Sequence, residues 1–170
     1  MVSIRTATAA DAALIQKLAE TTWWPVYQPI VGEEQVRFML NAFYNTEVIT
    51  QQINTGSQTY LLLYEGDTPK GFAGYSPRQE DPSIYKLHKL YCLPSEQGKG
   101  YGRILVNEVE KAVLASGNKI LELNVNRYNK AKSFYEKLGF SVIYEEDIQI
   151  GNGYEMNDYV MRKELDPLIK

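Results

Sequence analysis

Cysteine and histidine are almost absent from this sequence, with Cys92 and His88 the only ones. A single cysteine excludes an internal disulfide framework. One cysteine with one histidine is also too few for a structural zinc site, so no metal is expected. No apolar run approaches the ~20 residues that a bilayer-spanning helix needs. The opening Met-Val-Ser-Ile-Arg-Thr lacks the basic-then-apolar pattern of a secretory signal. These features lead us to expect a reduced, cytoplasmic compartment and no membrane partner. Positive charge is not in excess either: 18 basic against 21 acidic residues leave a net charge of −3. A nucleic-acid partner is therefore not expected, because such binding rests on a basic face. Mild acidity suits a cationic substrate, and it equally suits an ordinary solvated surface.

What is present is the composition of a globular domain, 44% hydrophobic and 23% charged. At 170 residues the chain can bury a sizeable core. It contains no repeat, low-complexity stretch or linker, and reads as one domain, 1–170. Val2 to Ala7 alternates as a strand. Thr8 followed by Asp11 marks a helix start, continued by Leu14, Ile15 and Leu18 and leading to Trp23-Trp24-Pro25. A second helix follows Gly32, with Val36, Met39, Leu40 and Phe43 on one face. Gln58–Tyr64 and Gly71–Ser76 read as a hairpin around Gly66-Asp67, and Ile84–Leu93 as a long strand stopped by Pro94. Leu105, Val109, Ala112 and Val113 mark a helix ending at Gly117-Asn118. Ile120–Val125 is a strand, and Ala131, Phe134, Tyr135 and Leu138 a helix closed by Gly139. Phe140–Ile150 and Tyr154–Arg162 form a terminal hairpin. The strand–helix–strand passage in the second half implies one right-handed crossover between parallel neighbours. The expected fold is α+β (mixed α/β): a mostly antiparallel sheet of about seven strands with one parallel pair and helices on both faces.

Between the long strand and the following helix lies Gln97-Gly98-Lys99-Gly100-Tyr101-Gly102. Glycines there let backbone approach a ligand closely, and N–H groups at the helix start cradle an anion. The triphosphatase loop needs Ser or Thr after Gly-Lys, but Gly100 follows Lys99. The dinucleotide fingerprint needs a glycine where Arg103 stands. A Gln-x-x-Gly-x-Gly pattern is met by Gln97, Gly100 and Gly102. Alone, that pattern is equally compatible with a glycine-rich helix entry that holds no ligand.

The wider stretch Leu90-Tyr91-Cys92-Leu93-Pro94-Ser95-Glu96-Gln97-Gly98-Lys99-Gly100-Tyr101-Gly102 resembles the acetyl-CoA motif of the Gcn5-related N-acetyltransferases. A second signature follows at the family's distance, Asn129 to Phe140. The inferred element order also matches that fold along essentially the whole chain. The resemblance implies an N-acetyltransferase using acetyl-CoA as acetyl donor, with an amine acceptor attacking directly. In the family the strand before the glycine loop splays from its parallel neighbour and pantetheine inserts there. That implies pairing of backbone groups of Leu90, Tyr91 and Cys92 with pantetheine. Backbone N–H groups from Gln97 to Arg103, spanning Gly98, Lys99, Gly100, Tyr101 and Gly102, are implied to hold the pyrophosphate. Lys99 and Arg103 are expected to add screened charge or simply to be solvated. Asn129 matches the asparagine that meets the cofactor arm and also suits a helix N-cap.

For catalysis the resemblance implies Tyr135 as donor to the departing sulfur and the Cys92 N–H as polariser of the acetyl oxygen. The Cys92 thiol is expected to be a buried strand side chain. Some relatives place a histidine two residues before the segment matching Leu90-Tyr91-Cys92, as His88 stands here, and a histidine suits proton relay near neutrality. Others use a glutamate where this chain has Lys86. A structural His88, with a water chain ending at Glu33, Glu80 or Asp81, is the open alternative. Simple alternation places Ile84, Lys86, His88, Leu90 and Cys92 on one strand face. Of Trp23, Trp24, Tyr27, Phe38, Tyr44, Tyr144 and Tyr154, most are expected to be core or rim packing, and the remainder, with Glu33, Glu34, Glu145, Glu146 and Asp147, to wall a cationic amine. Asn157 to Lys163 is similar to the PaiA-like polyamine acetyltransferase branch. The rival function is a catalytically weak acyl-CoA-binding sensor. A homodimer is the one protein assembly considered.

Overall fold

The computed structural model describes residues 1–96 and 98–166. The strands lie in the order β1-β2-β3-β4-β5-β7-β6. They are β1 (Val2–Thr6), β2 (Thr59–Glu65), β3 (Thr68–Pro77), β4 (Ile84–Cys92), β5 (Ile120–Asn126), β6 (Ser141–Gly151) and β7 (Tyr154–Glu164). Pairing of β4 with β5 is parallel, and β1–β2, β2–β3, β5–β7 and β6–β7 are antiparallel. The mixed α/β expectation with one parallel pair therefore holds. The helices are α1 (Ala12–Val31), α2 (Glu33–Phe43), α3 (Thr46–Thr55), α4 (Tyr101–Ala115) and α5 (Ala131–Lys137).

The chain divides into two compact units, Met1–Ser76 with Lys89–Val109, and Pro77–His88 with Glu110–Lys170. In the first unit, β2 is buried on both faces: Tyr60 and Leu62 point to one side, Leu61 and Leu63 to the other. Helix α1 starts where the sequence indicates, its entry tied by the Thr8 N–H donating to Asp11 Oδ2 at 2.8 Å. Asp11 in turn pairs with Arg5 at 2.8 Å, which holds its carboxyl down at about 2. The helix does not stop at Pro25. It runs on through Pro25 and Pro29 to Val31. A proline inside a helix costs about 3 kcal/mol. Buried Trp23 and Tyr27 flank Pro25 and offset it, at roughly 2 kcal/mol for each large side chain buried.

Helix α3 is missing from the sequence reading, although its ends carry readable signals. The Asn45 side chain accepts from the Val48 N–H at 2.9 Å, and Gly56 closes the helix with φ +74°. Its weak apolar face, with Ile49 the only buried residue, hides it from a periodicity search.

In the second unit, β5 is flanked by β4 on one side and β7 on the other. Leu121, Leu123 and Val125 are buried on the face that the helices serve. There the Lys163 ammonium on β7 pairs with Glu110 of α4 at 3.0 Å, and Lys132 of α5 lies 5.0 Å from the Tyr159 ring. The register Lys86↔Glu122, Glu122↔Arg162 and Asn126↔Asp158 puts the opposite face in polar hands.

Candidate functional site

Strand β4 ends in the first unit as Lys89-Leu90-Tyr91-Cys92, followed by a 3₁₀ turn at Pro94–Glu96 and the glycine loop. Gly98 and Gly100 adopt φ +86° and +79°, a conformation that L side chains rarely take. A Cβ at either would meet nothing within 4 Å, so backbone conformation rather than crowding calls for glycine there. The first bond of α4 runs from the Ile104 N–H to the Gly100 carbonyl at 3.1 Å. The N–H groups of Tyr101, Gly102 and Arg103 therefore precede the helix's own bonding and head its positive end. These three donors and the left-handed glycines before them lie together at the entry of α4. The expectation for Gln97 lies outside the described residues.

Side chains brace the loop from below. Buried Glu96 takes Lys70 at 2.8 Å on one oxygen and Lys99 at 2.6 Å on the other. Those two ammonium groups hold its carboxyl down at about 2. The Tyr101 hydroxyl donates to Glu65. Lys99 is thus engaged with Glu96, not simply solvated, and Arg103 is exposed. Sequence reasoning overlooked the Lys70–Glu96 and Tyr101–Glu65 contacts because each joins residues far apart in the chain. A close approach lies beside the strand: a Cβ on Gly71 would sit 2.7 Å from the Tyr91 carbonyl oxygen and 3.1 Å from Cys92 Sγ. Burial pushes the Cys92 thiol up to about 11, leaving it protonated and non-nucleophilic near neutrality, as expected of a strand side chain.

The other predicted site residues lie in the second unit. His88 is exposed on β4 between buried Leu87 and Lys89. Asn129 accepts from the Ala131 N–H at 3.0 Å, fixing the entry of α5. Tyr135 is buried on α5, its ring 5.1 Å from Phe134 and 5.9 Å from Phe140. The carboxylates considered as ends of a water chain all have local partners. Glu33 pairs with Arg37 at 2.6 Å, Glu80 with Arg78 at 3.5 Å, and Asp81 accepts from the Ser83 hydroxyl at 2.6 Å.

Of the aromatics expected to divide between packing and an acceptor wall, Trp23, Tyr27 and Tyr44 are core of the first unit. Trp23 lies 4.3 Å from Tyr27 and 5.5 Å from Tyr44, centroid to centroid. Tyr144 stays exposed in the second unit. The first-unit cluster also holds a group the sequence did not flag. Lys89 is 7% exposed, its ammonium 4.8 Å and 5.0 Å from the rings of Tyr60 and Tyr44. It donates to the Tyr60 hydroxyl and to Gln52 Oε1 at 3.3 Å, and burial lowers it to about 7.

Residues 27–164 match the acetyltransferase (GNAT) domain model. The chain belongs to the GNAT acetyltransferase family. It is 25% identical over 167 residues to a spermidine N(1)-acetyltransferase of Thermoplasma acidophilum, covering 97% of this chain and 98% of that protein. The PaiA N-acetyltransferase structure from Thermoplasma acidophilum, solved with coenzyme A, superposes with a TM-score of 0.82 at 25% identity. It covers 96% of this chain and 99% of that one. A GCN5-related N-acetyltransferase from Rhodopseudomonas palustris shares the fold, with a TM-score of 0.80, 23% identity, and coverage of 96% and 95%. This GNAT chain is an acetyltransferase, and no described helix is long and apolar enough to cross a membrane.

Proposed function

We propose that this GNAT enzyme moves an acetyl group from acetyl-CoA to a primary amine by direct attack in a ternary complex, with a small cationic amine or polyamine as acceptor. The observation that carries the reading is the cradle itself. Gly98 and Gly100 are left-handed at the mouth of α4, and the N–H groups of Tyr101, Gly102 and Arg103 precede the helix's own bonding. A pyrophosphate fits that arrangement. In this reading the N–H groups from Gly98 to Arg103 hold the pyrophosphate, and Leu90, Tyr91 and Cys92 offer backbone groups to the pantetheine arm. Bound there, acetyl-CoA supplies an activated thioester. Glu96 keeps the loop in shape through Lys99 and Lys70. The family match runs through both compact units, which supports one catalytic domain over 1–170.

The roles on the second unit follow the chemistry of the step. The attacking amine loses a proton, and exposed His88 accepts it. The acetyl oxygen gains charge, stabilised by the Cys92 N–H. The departing sulfur takes a proton from the Tyr135 hydroxyl, while Asn129 shapes the turn before α5. A polyamine acceptor is supported by the full-length likeness to a spermidine acetyltransferase and by the acidic β6 residues Glu145, Glu146 and Asp147. A cytoplasmic location goes with acetyl-CoA as the donor.

Release of free CoA is measured against a panel of spermidine, spermine, putrescine, neutral-tailed monoamines and lysine peptides. Turnover should be fastest with a polyamine or diamine. Turnover on no amine, with acetyl-CoA still bound, would replace the enzyme by an acyl-CoA sensor.

A further inference from the structure

The polar face of the second unit carries two buried carboxylates with different surroundings. On β5, Glu122 is balanced: Arg78 lies 2.8 Å from it and Arg162 3.7 Å. On β7, Asp158 has no such partner among the described residues. It is 6% exposed, and its Oδ2 accepts from Asn124 Nδ2 at 3.1 Å, while its Oδ1 is buried without a hydrogen bond. An unmatched buried carboxylate oxygen is costly, and in a native site it calls for a reason.

The neighbours define what would satisfy it. Glu146, opposite Asp158 in the β6–β7 register, accepts from the same Asn124 amide at 3.3 Å and is exposed, marking the side from which a solute approaches. Burial and the Glu146 charge raise the Asp158 carboxyl above its ordinary value, while Asn124, Lys86 and Arg127 pull it down. Arg127 is engaged by Asp147 and Glu145, and among the described residues no ammonium or guanidinium closes an ion pair with Asp158. Two carboxylates therefore share one neutral amide, with one oxygen still lacking a donor.

We propose that Asp158, with Glu146 beside it, is the subsite that holds a non-reacting ammonium group of the acceptor. It rests on the reading of this chain as an amine acetyltransferase and adds to it a specificity residue. An alkylammonium donates to Asp158 Oδ1, supplying the missing hydrogen bond and the counter-charge together. The amine to be acetylated must be neutral when it attacks, so the cation recognised here is a second one. The substrate class is thus a diamine or polyamine, and a monoamine with a neutral tail leaves the subsite unused.

The test compares wild type with Asp158→Asn, which preserves shape and removes the charge. The KM for spermidine and putrescine should rise about tenfold or more, since the bound ammonium loses its charged partner. The kcat at saturation, the KM for acetyl-CoA and the KM for a neutral-tailed monoamine should stay within about threefold. Glu146→Gln should give a smaller rise, because that carboxylate is exposed. An unchanged spermidine KM, or a monoamine KM that rises in parallel, would overturn the subsite while leaving the acetyltransferase reading intact. If wild type acetylates no amine, that reading fails instead. The subsite is then judged by calorimetric titration of spermidine into the CoA-loaded protein. Weaker binding to Asp158→Asn supports it, and equal or absent binding by wild type overturns it.

Discussion

Replacing Tyr135 by Phe is expected to lower kcat about a hundredfold while leaving the acetyl-CoA dissociation constant unchanged. The substitution removes one hydroxyl and keeps the ring. Its packing against Phe134 and Phe140, at 5.1 and 5.9 Å, is preserved, so α5 should remain seated. A thiol of pKa ~8.5 is a fair leaving group, which limits what an acid can contribute and places the loss toward the lower end of general acid effects. Stopped-flow acetyl transfer alongside acetyl-CoA titration separates the two quantities. Unchanged turnover would remove Tyr135 as the acid. A loss of acetyl-CoA affinity equal to the loss of turnover would make it a binding residue.

The second large effect concerns stability. Lys89→Met should stabilise the fold by about 2 kcal/mol near pH 7, raising the melting temperature by about 4–8 °C. Lys89 is buried among Tyr44, Tyr60 and Gln52 with no carboxylate within ion-pairing distance among the described residues, and burial lowers it from 10.5 to about 7. A lysine depressed in the folded state destabilises fully below pH 7, where both states carry the charge. Between 7 and 10.5 the unfolded chain binds the extra proton, so stability rises with pH there. Wild type should therefore gain stability from pH 7 to 9, and Lys89→Met should lose most of that slope. Tyr60 keeps a partner in the variant, because its hydroxyl donates to Gln52 Oε1 at 2.7 Å. Urea melts at pH 7, 8 and 9 measure both slopes. A variant less stable than wild type at pH 7 would show that the tyrosine cage favours the ammonium more than burial opposes it.

Strand and helix order was legible because each element carries its own signal. The hairpin around Gly66, the Pro94 stop, and the helices closed by Gly117 and Gly139 all stand where spacing indicates. What failed was local in character. Spacing carried α1 only as far as Pro25, and its continuation through Pro25 and Pro29 goes with burial of Trp23 and Tyr27, a tertiary effect no window detects. Helix α3 was lost because one buried isoleucine makes no stripe, though Asn45 and Gly56 bracket it. In the candidate site, the left-handed glycines at the entry of α4 were readable because they are consecutive backbone. The Lys70–Glu96 pair, the Lys89 cage and the orphaned Asp158 oxygen were not, because each is assembled from residues distant in sequence. Trp23, Tyr27 and Tyr44 pack the core, as most of the aromatics were expected to, but which of them would do so was not legible, since composition cannot tell a lined cleft from a filled one.

The account stands on the left-handed glycine pair as a cradle for the acetyl-CoA pyrophosphate, and calorimetric titration of the full chain with acetyl-CoA, NAD and ATP tests it most directly. It predicts saturable one-to-one binding of acetyl-CoA with a dissociation constant on the order of micromolar, and at least about tenfold weaker binding of NAD and ATP. Binding of NAD or ATP as tight as that of acetyl-CoA, or no heat with acetyl-CoA, would contradict it.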